Sequence, residues 1–146
     1  MNEQLFWSLI GDLDWSAEGD DDAVIEPVVT RLASLGVETI TAFDELLAKK
    51  LFALDTREHA ENIGRYGIGG SYFSPDNFLY ARCVVVANGR DTFEEVIRDP
   101  TLFPRDLEFE ALLSIPSHAF ERLTGDEYAY TTSVSPETFS NTEGWS

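Results

Sequence analysis

The stretch RYGIGGSYFSPDNF, residues 65–78, sets Gly67, Gly69 and Gly70 just ahead of a helix start. In such a setting, backbone N–H groups and a helix end can hold a phosphate. A P-loop needs G-x-x-x-x-G-K-[ST], and no lysine stands here to reach the terminal phosphates. A dinucleotide loop needs G-x-G-x-x-G after a strand; counted from Gly67 and Gly69 the third position is Tyr72, and the preceding REHAENIG reads as helix. What remains is a helix amino terminus near Ser74 that could accept an anion, with Gly69, Gly70, Ser74 and Asp76 of the loop and Arg65, Arg82, Arg90 and His118 as candidate polar groups; a plain connecting loop is the better reading.

Other chemistry-bearing patterns fail on decisive residues. DLDWSAEGDDDA places Asp12, Asp14, Ser16, Glu18 and Asp20 at the first five ligand positions of a calcium loop. The sharp-turn position is Ala17 and the bidentate acid position is Ala23, so a solvated acidic loop is the better reading. His59 follows Asp55 by four residues and His118 precedes Glu121 by three, each able to offer two ligands or an acid–base couple, but neither belongs to an H-E-x-x-H motif. Cys83 lies in the apolar run CVVVA, where a thiol behaves as a small hydrophobe and its thiolate is suppressed. No G-x-S-x-G elbow occurs, and Glu94–Glu95 and Glu108 with Glu110 fit helix starts and solvated faces. No catalytic residue, metal site or cofactor is expected.

Helices must position whatever site exists. Apolar residues recur at helical spacing in Phe6, Leu9, Ile10 and Leu13; in Ile25, Val28, Leu32 and Leu35, stopped by Gly36; and in Ile40, Phe43, Leu47, Leu51 and Leu54. Pro27 allows two readings: Glu26 caps the second helix with proline at its first position, or the helix is kinked there. Ser74-Pro75-Asp76 reads as cap, first-position proline and favoured acid, predicting a helix from about 75 to 88 that Gly89 ends. Its body FLYARCVVVA is apolar almost all round, which marks a central, buried helix. Asp91 and Glu94 form a D-x-x-E variant of the capping box before a short helix closed by Asp99-Pro100. Phe109, Leu112, Leu113, Phe120 and Leu123 mark a last helix, broken in two by Pro116 and ended by Gly125.

Beyond Gly125 the helical period is lost, yet Tyr128, Tyr130, Phe139 and Trp145 remain; a free tail seldom carries so many aromatics. Residues 125–146 are expected to lie extended along a helical core of residues 1–124. Trp15 to Asp22 reads as the most mobile loop. The expected fold is one all-α domain of about six helices with an aromatic carboxyl-terminal arm, as 146 residues and 43% apolar content suit a single core.

The charge is lopsided. Against 27 acids there are 10 bases, a net of −17. Residues 1–30 hold eight acids and no Lys or Arg, and residues 123–146 hold four acids and again no base. Direct nucleic-acid binding is disfavoured and a basic protein partner is attracted at long range. The start lacks the pattern of a secretory signal, and no run approaches the about 18 apolar residues of a membrane span, so a cytoplasmic location and no membrane partner are expected.

In NEQLFWSLI, FLYARCVVVANGRDTFEEVI, DLEFEALLSIPSHAFERLTGDEY and TFSNTEGW, the chain resembles the bacterial family Domain of Unknown Function 4240. Phe6-Trp7, Gly89-Arg90 and Gly144-Trp145 are distinctive in combination. Many members carry an acidic pair before the Phe of the central segment, where this chain has Ser74-Pro75-Asp76-Asn77 before Phe78. The resemblance implies a bacterial, cytoplasmic origin and no established activity. Charge and motifs together favour a small acidic protein-binding or regulatory module that neutralises or tethers a basic partner; the competing reading is a small-molecule or anion-binding enzyme using loop 67–76.

Overall fold

The computed structural model describes residues 1–146 and contains helices and no strands: α1 (Glu3–Ile10), α2 (Asp21–Ser34), α3 (Val37–Ala53), α4 (Arg57–Ala60), α5 (Pro75–Ala87), α6 (Arg90–Arg98), α7 (Ile115–Thr124) and α8 (Thr142–Trp145). Short 3₁₀ turns cover Trp15–Ala17, Pro100–Leu102 and Glu110–Ser114. Six of the helices are eight residues or longer, so the expected all-α single domain is what forms.

The core is organised around α5. Ser74 Oγ accepts from the Asn77 amide, Pro75 takes the first turn where its missing N–H costs nothing, and Phe78, Leu79, Ala81 and every residue from Arg82 to Ala87 are buried. Three consecutive valines therefore sit in a helix despite their strand preference. Burial on nearly all sides outweighs a propensity difference of a few tenths of a kcal/mol per residue. Around α5 pack α3, α6 and the Glu110–Ser114 turn, while α7 lies chiefly against α2 and α3. The buried apolar side chains form one continuous cluster.

Local chemistry explains where helices begin differently from the sequence expectation. α2 starts at Asp21, because the Asp20 carboxylate accepts from the Ala23 amide and Asp21 and Asp22 favour the positive helix end. Neither a Glu26 cap nor a plain loop from Trp15 to Asp22 forms; the helix runs through Pro27, and Asp14 caps the 3₁₀ turn at Trp15. α6 is entered through Gly89 at φ +101°, so Asp91 lies inside the first turn and its carboxylate makes no cap. The helix expected across REHAENIG shrinks to α4, capped by Thr56. The last expected helix divides at Pro116 as anticipated, but its first half is 3₁₀, and Gly125 ends α7 in the left-handed region at φ +77°.

Between helices, Lys50 makes a notable junction. Its ammonium bonds Glu3 at 2.6 Å and lies 5.4–5.8 Å from the ring centres of Phe6, Trp7 and Phe93. One cation thus ties α1, α3 and α6 together.

Candidate functional site

Two clefts and one occupied groove concentrate the polar chemistry. The first cleft, about 310 Å³, has Val84 of α5 and Phe109 at its floor, with Trp15 and Leu107 along its sides. Trp15 and Phe109 rings lie 5.2 Å apart, and Trp15 stays 43% exposed. Glu18, Asp21 and Glu108 line the same cleft, no Lys or Arg does, and Asn88 turns its amide to the Val84 carbonyl at 2.7 Å. An apolar floor with three carboxylates at its edge suits an alkyl-ammonium or guanidinium group.

The second cleft, about 450 Å³, is polar and mixed in sign: Arg57 and Arg98 share it with Glu58 and Glu143. His59 borders it but has no free ring nitrogen. Nε2 lies 2.8 Å from the Val96 carbonyl oxygen, to which it donates, which leaves Nδ1 to accept from the Thr56 hydroxyl at 2.6 Å. Burial lowers the His59 pKa, with the Val96 and Glu58 contacts acting in the opposite sense. The Asp55–His59 couple conceivable from spacing does not form, because Asp55 faces another element.

That element is the arm, which the core grips at three stations. On α3, the Asp44 carboxylate accepts from the Tyr128 hydroxyl at 2.8 Å, and Glu45 accepts from the Tyr130 hydroxyl and from the Ser133 amide and hydroxyl. Burial raises the Asp44 pKa, while the Ser133 and Tyr130 hydroxyls lower that of Glu45. On α5, Arg82 is wholly buried; Nη1 donates to the carbonyls of Leu51 (2.7 Å) and Pro136 (2.9 Å), and Nη2 to the Thr138 hydroxyl (2.9 Å). Thr138 in turn donates to the Pro75 carbonyl at 2.7 Å. Burial lowers the Arg82 pKa to about 10, so the guanidinium stays charged at neutral pH; it packs 4.6 Å from the Phe78 ring centre.

The third station is Asp55, also wholly buried. It accepts from the amides of Phe139 (3.1 Å) and Asn141 (3.0 Å) and from the Trp145 indole (2.8 Å), three N–H donors for an acceptor-only group. Phe139 takes φ +76°, unusual for a large residue, and this curls its amide and that of Asn141 onto one carboxylate. The arm therefore does not stay extended as expected: it turns between Glu137 and Ser140 and ends in the single turn of α8.

The residues proposed for an anion loop have separate employments. Arg82 is enclosed by the arm, Ser74 caps α5, Asp76 is exposed in the first turn, and Arg90 pairs with Glu94 at 3.0 Å. The Arg65 amide donates to Asp106, Gly69 and Gly70 lie exposed in the loop, and His118 is exposed on α7. No two of them share a partner; Arg82 is linked through Thr138 to the carbonyl of Pro75, the residue after Ser74. Neither cleft is lined by any of these residues. The calcium-like acids are likewise spread: Asp12 pairs with Arg31 at 2.8 Å, and Asp14 and Asp20 cap. Nowhere do three His, Cys, Asp or Glu gather as a metal-holding group. Burial pushes the Cys83 thiol up to about 12, leaving it inert at neutral pH.

An all-helical domain with an acidic aromatic cleft and a strapped-down arm is the class that this geometry defines. The family model described as Protein of unknown function (DUF4240) matches residues 1–122, and the chain belongs to that family. No curated protein and no solved structure matches it. No helix is long and apolar enough to cross a membrane.

Proposed function

We propose that the protein is a small acidic binding module that takes a basic segment of a protein partner, seating a lysine or arginine side chain in the Trp15–Phe109 cleft. The observation that carries this reading is the cleft itself: an aromatic and aliphatic floor, Glu18, Asp21 and Glu108 around it, and no base among its lining residues. The alkyl stem of the guest covers Val84 and Leu107 while its charge meets the carboxylates. Each exposed ion pair contributes only about 0–1 kcal/mol and an exposed cation–π contact about 0.5–1 kcal/mol, so one side chain anchors weakly. Specific anchoring at the cleft is reinforced by the long-range field of a chain with net charge −17, which steers a basic partner at low salt.

The test is binding of a fluorescent lysine-rich peptide, followed by anisotropy and by Trp15 emission. Replacing Glu18 and Glu108 together by Gln weakens binding about tenfold, equal to 1.4 kcal/mol. Replacing the exposed Glu61 and Glu95, which remove the same charge outside the cleft, leaves binding within about twofold. Equal losses from both pairs would mean that bulk charge, with no seat at the cleft, holds the peptide.

A further inference from the structure

Every group that grips the distal arm lies within residues 52–82, and every group gripped lies within residues 136–145. The gripping side consists of the Phe52 carbonyl, Asp55, the Pro75 carbonyl, Phe78 and Arg82, whose guanidinium is steadied by the Leu51 carbonyl. The family match covers the first set and ends at residue 122, within α7 and ahead of the second. Two of the gripping groups are a carboxylate and a guanidinium with no solvent exposure, whose hydrogen bonds go almost wholly to the arm. A core that needed only to be covered would present apolar surface there. A core that places buried charges of both signs, each matched to backbone and side-chain groups of one short segment, has the construction of a peptide-recognition site.

From this geometry we infer that the groove between α3 and α5 is a peptide-binding site whose resident occupant is the chain's own arm, and whose ligand in trans is the same segment of a second copy. Its recognition pattern is legible. Thr138 bridges Arg82 and the Pro75 carbonyl. Phe139 and Asn141 give their amides to Asp55, and the Asn141 side chain reaches the Phe52 carbonyl at 3.1 Å. Trp145 sets its indole N–H on Asp55 and its ring edge-on to Phe78, 6.0 Å between centres. Gly144 is required because a Cβ there would stand 2.8 Å from the Asp55 carbonyl oxygen. The ligand thus reads Thr-Phe-x-Asn-x-x-Gly-Trp. Asp126 and Glu127, exposed ahead of the first anchoring tyrosine, are where the arm departs from α7, so the segment can leave one groove and enter another without unfolding the helices.

The inference is independent of the acidic cleft and is tested on the complete chain. A protease site inserted between Glu127 and Tyr128 lets the protein fold whole before the link is cut, after which only the groove and the Asp44–Glu45 contacts of α3 retain the arm. A labelled peptide of residues 128–146 in excess then replaces the resident arm overnight, raising anisotropy, and the same peptide with Trp145→Ala competes at least tenfold less well. Two results overturn the inference. In one, the cut arm stays in place and the labelled peptide never enters. In the other, the arm departs, helicity collapses and the peptide restores nothing, which would make the arm an inseparable part of the core.

Discussion

Asp55 shows what a buried carboxylate demands of its surroundings. With three N–H donors aimed at it, Asp55→Ala leaves the Phe139 and Asn141 amides and the Trp145 indole without acceptors, and a stability loss of about 3–5 kcal/mol in denaturant titration is expected. A loss below about 1 kcal/mol would show that water satisfies these donors as well as the carboxylate does. His59 supplies a pH-dependent counterpart. Its folded pKa lies below the ordinary 6.5, so its contribution is present above pH 6.5 and is lost as pH falls through the folded value. Melting measured from pH 7 down to about 5 should lose stability in the wild type, and His59→Gln should flatten that slope; an unchanged slope would assign it to carboxylates instead. These residue roles were the least legible in the sequence. Arg82 was visible as a polar residue in an apolar run, which suggests a ligand group, but only the tertiary contact reveals that the arm surrounds it. Asp55 follows Leu51 and Leu54 at the end of an apolar period, and nothing local distinguishes a buried acid there from a solvated cap. Trp15 sits in a run of acids, and its pairing with Phe109 spans most of the chain.

At the scale of elements, the helices were legible where a period and an end signal agreed. α3 and α5 form nearly where their apolar spacing and Ser74-Pro75 place them. Boundaries moved where two end signals competed: Asp20 with its following acids outweighs Pro27, and Gly89 at positive φ outweighs the Asp91 capping box. The arm was legible only as too aromatic to float. Its path required partners from α3 and α5 that no periodicity announces. α8 gives the sharpest test of that path, since Gly144 lies against the Asp55–Thr56 backbone and side chain with no room for a methyl group. Gly144→Ala should lift Trp145 from Asp55 and lower stability by about 2–3 kcal/mol, seen as a red shift in tryptophan emission and a lower melting temperature. Wild-type melting would mean that α8 contributes little to holding the arm.

For the whole molecule, the decisive quantity is how charge is distributed over a core that has little electrostatic support. Four ion pairs are formed, all with at least one partner substantially exposed, and such pairs contribute about 0–1 kcal/mol each. Against them stands a net charge of −17, of which the amino-terminal 30 residues and residues 123–146 hold 12. Arg122 of α7, the last base of the chain, pairs with Glu26 of α2 in the acidic amino-terminal region. Self-repulsion of this kind disfavours the compact state and is screened over a Debye length of about 10 Å at 0.1 M salt. Sodium chloride raised from about 0.01 to 0.3 M should therefore increase the melting temperature, because it weakens more repulsions than attractions. The same titration should weaken binding of the lysine-rich peptide, since there the charges are opposite. Opposite signs for folding and binding in one salt series separate the two roles of the acidic surface. A melting temperature that fell with salt would mean that the few ion pairs outweigh the net repulsion, and that the acidic ends are compensated within the fold instead of being left available to a basic partner.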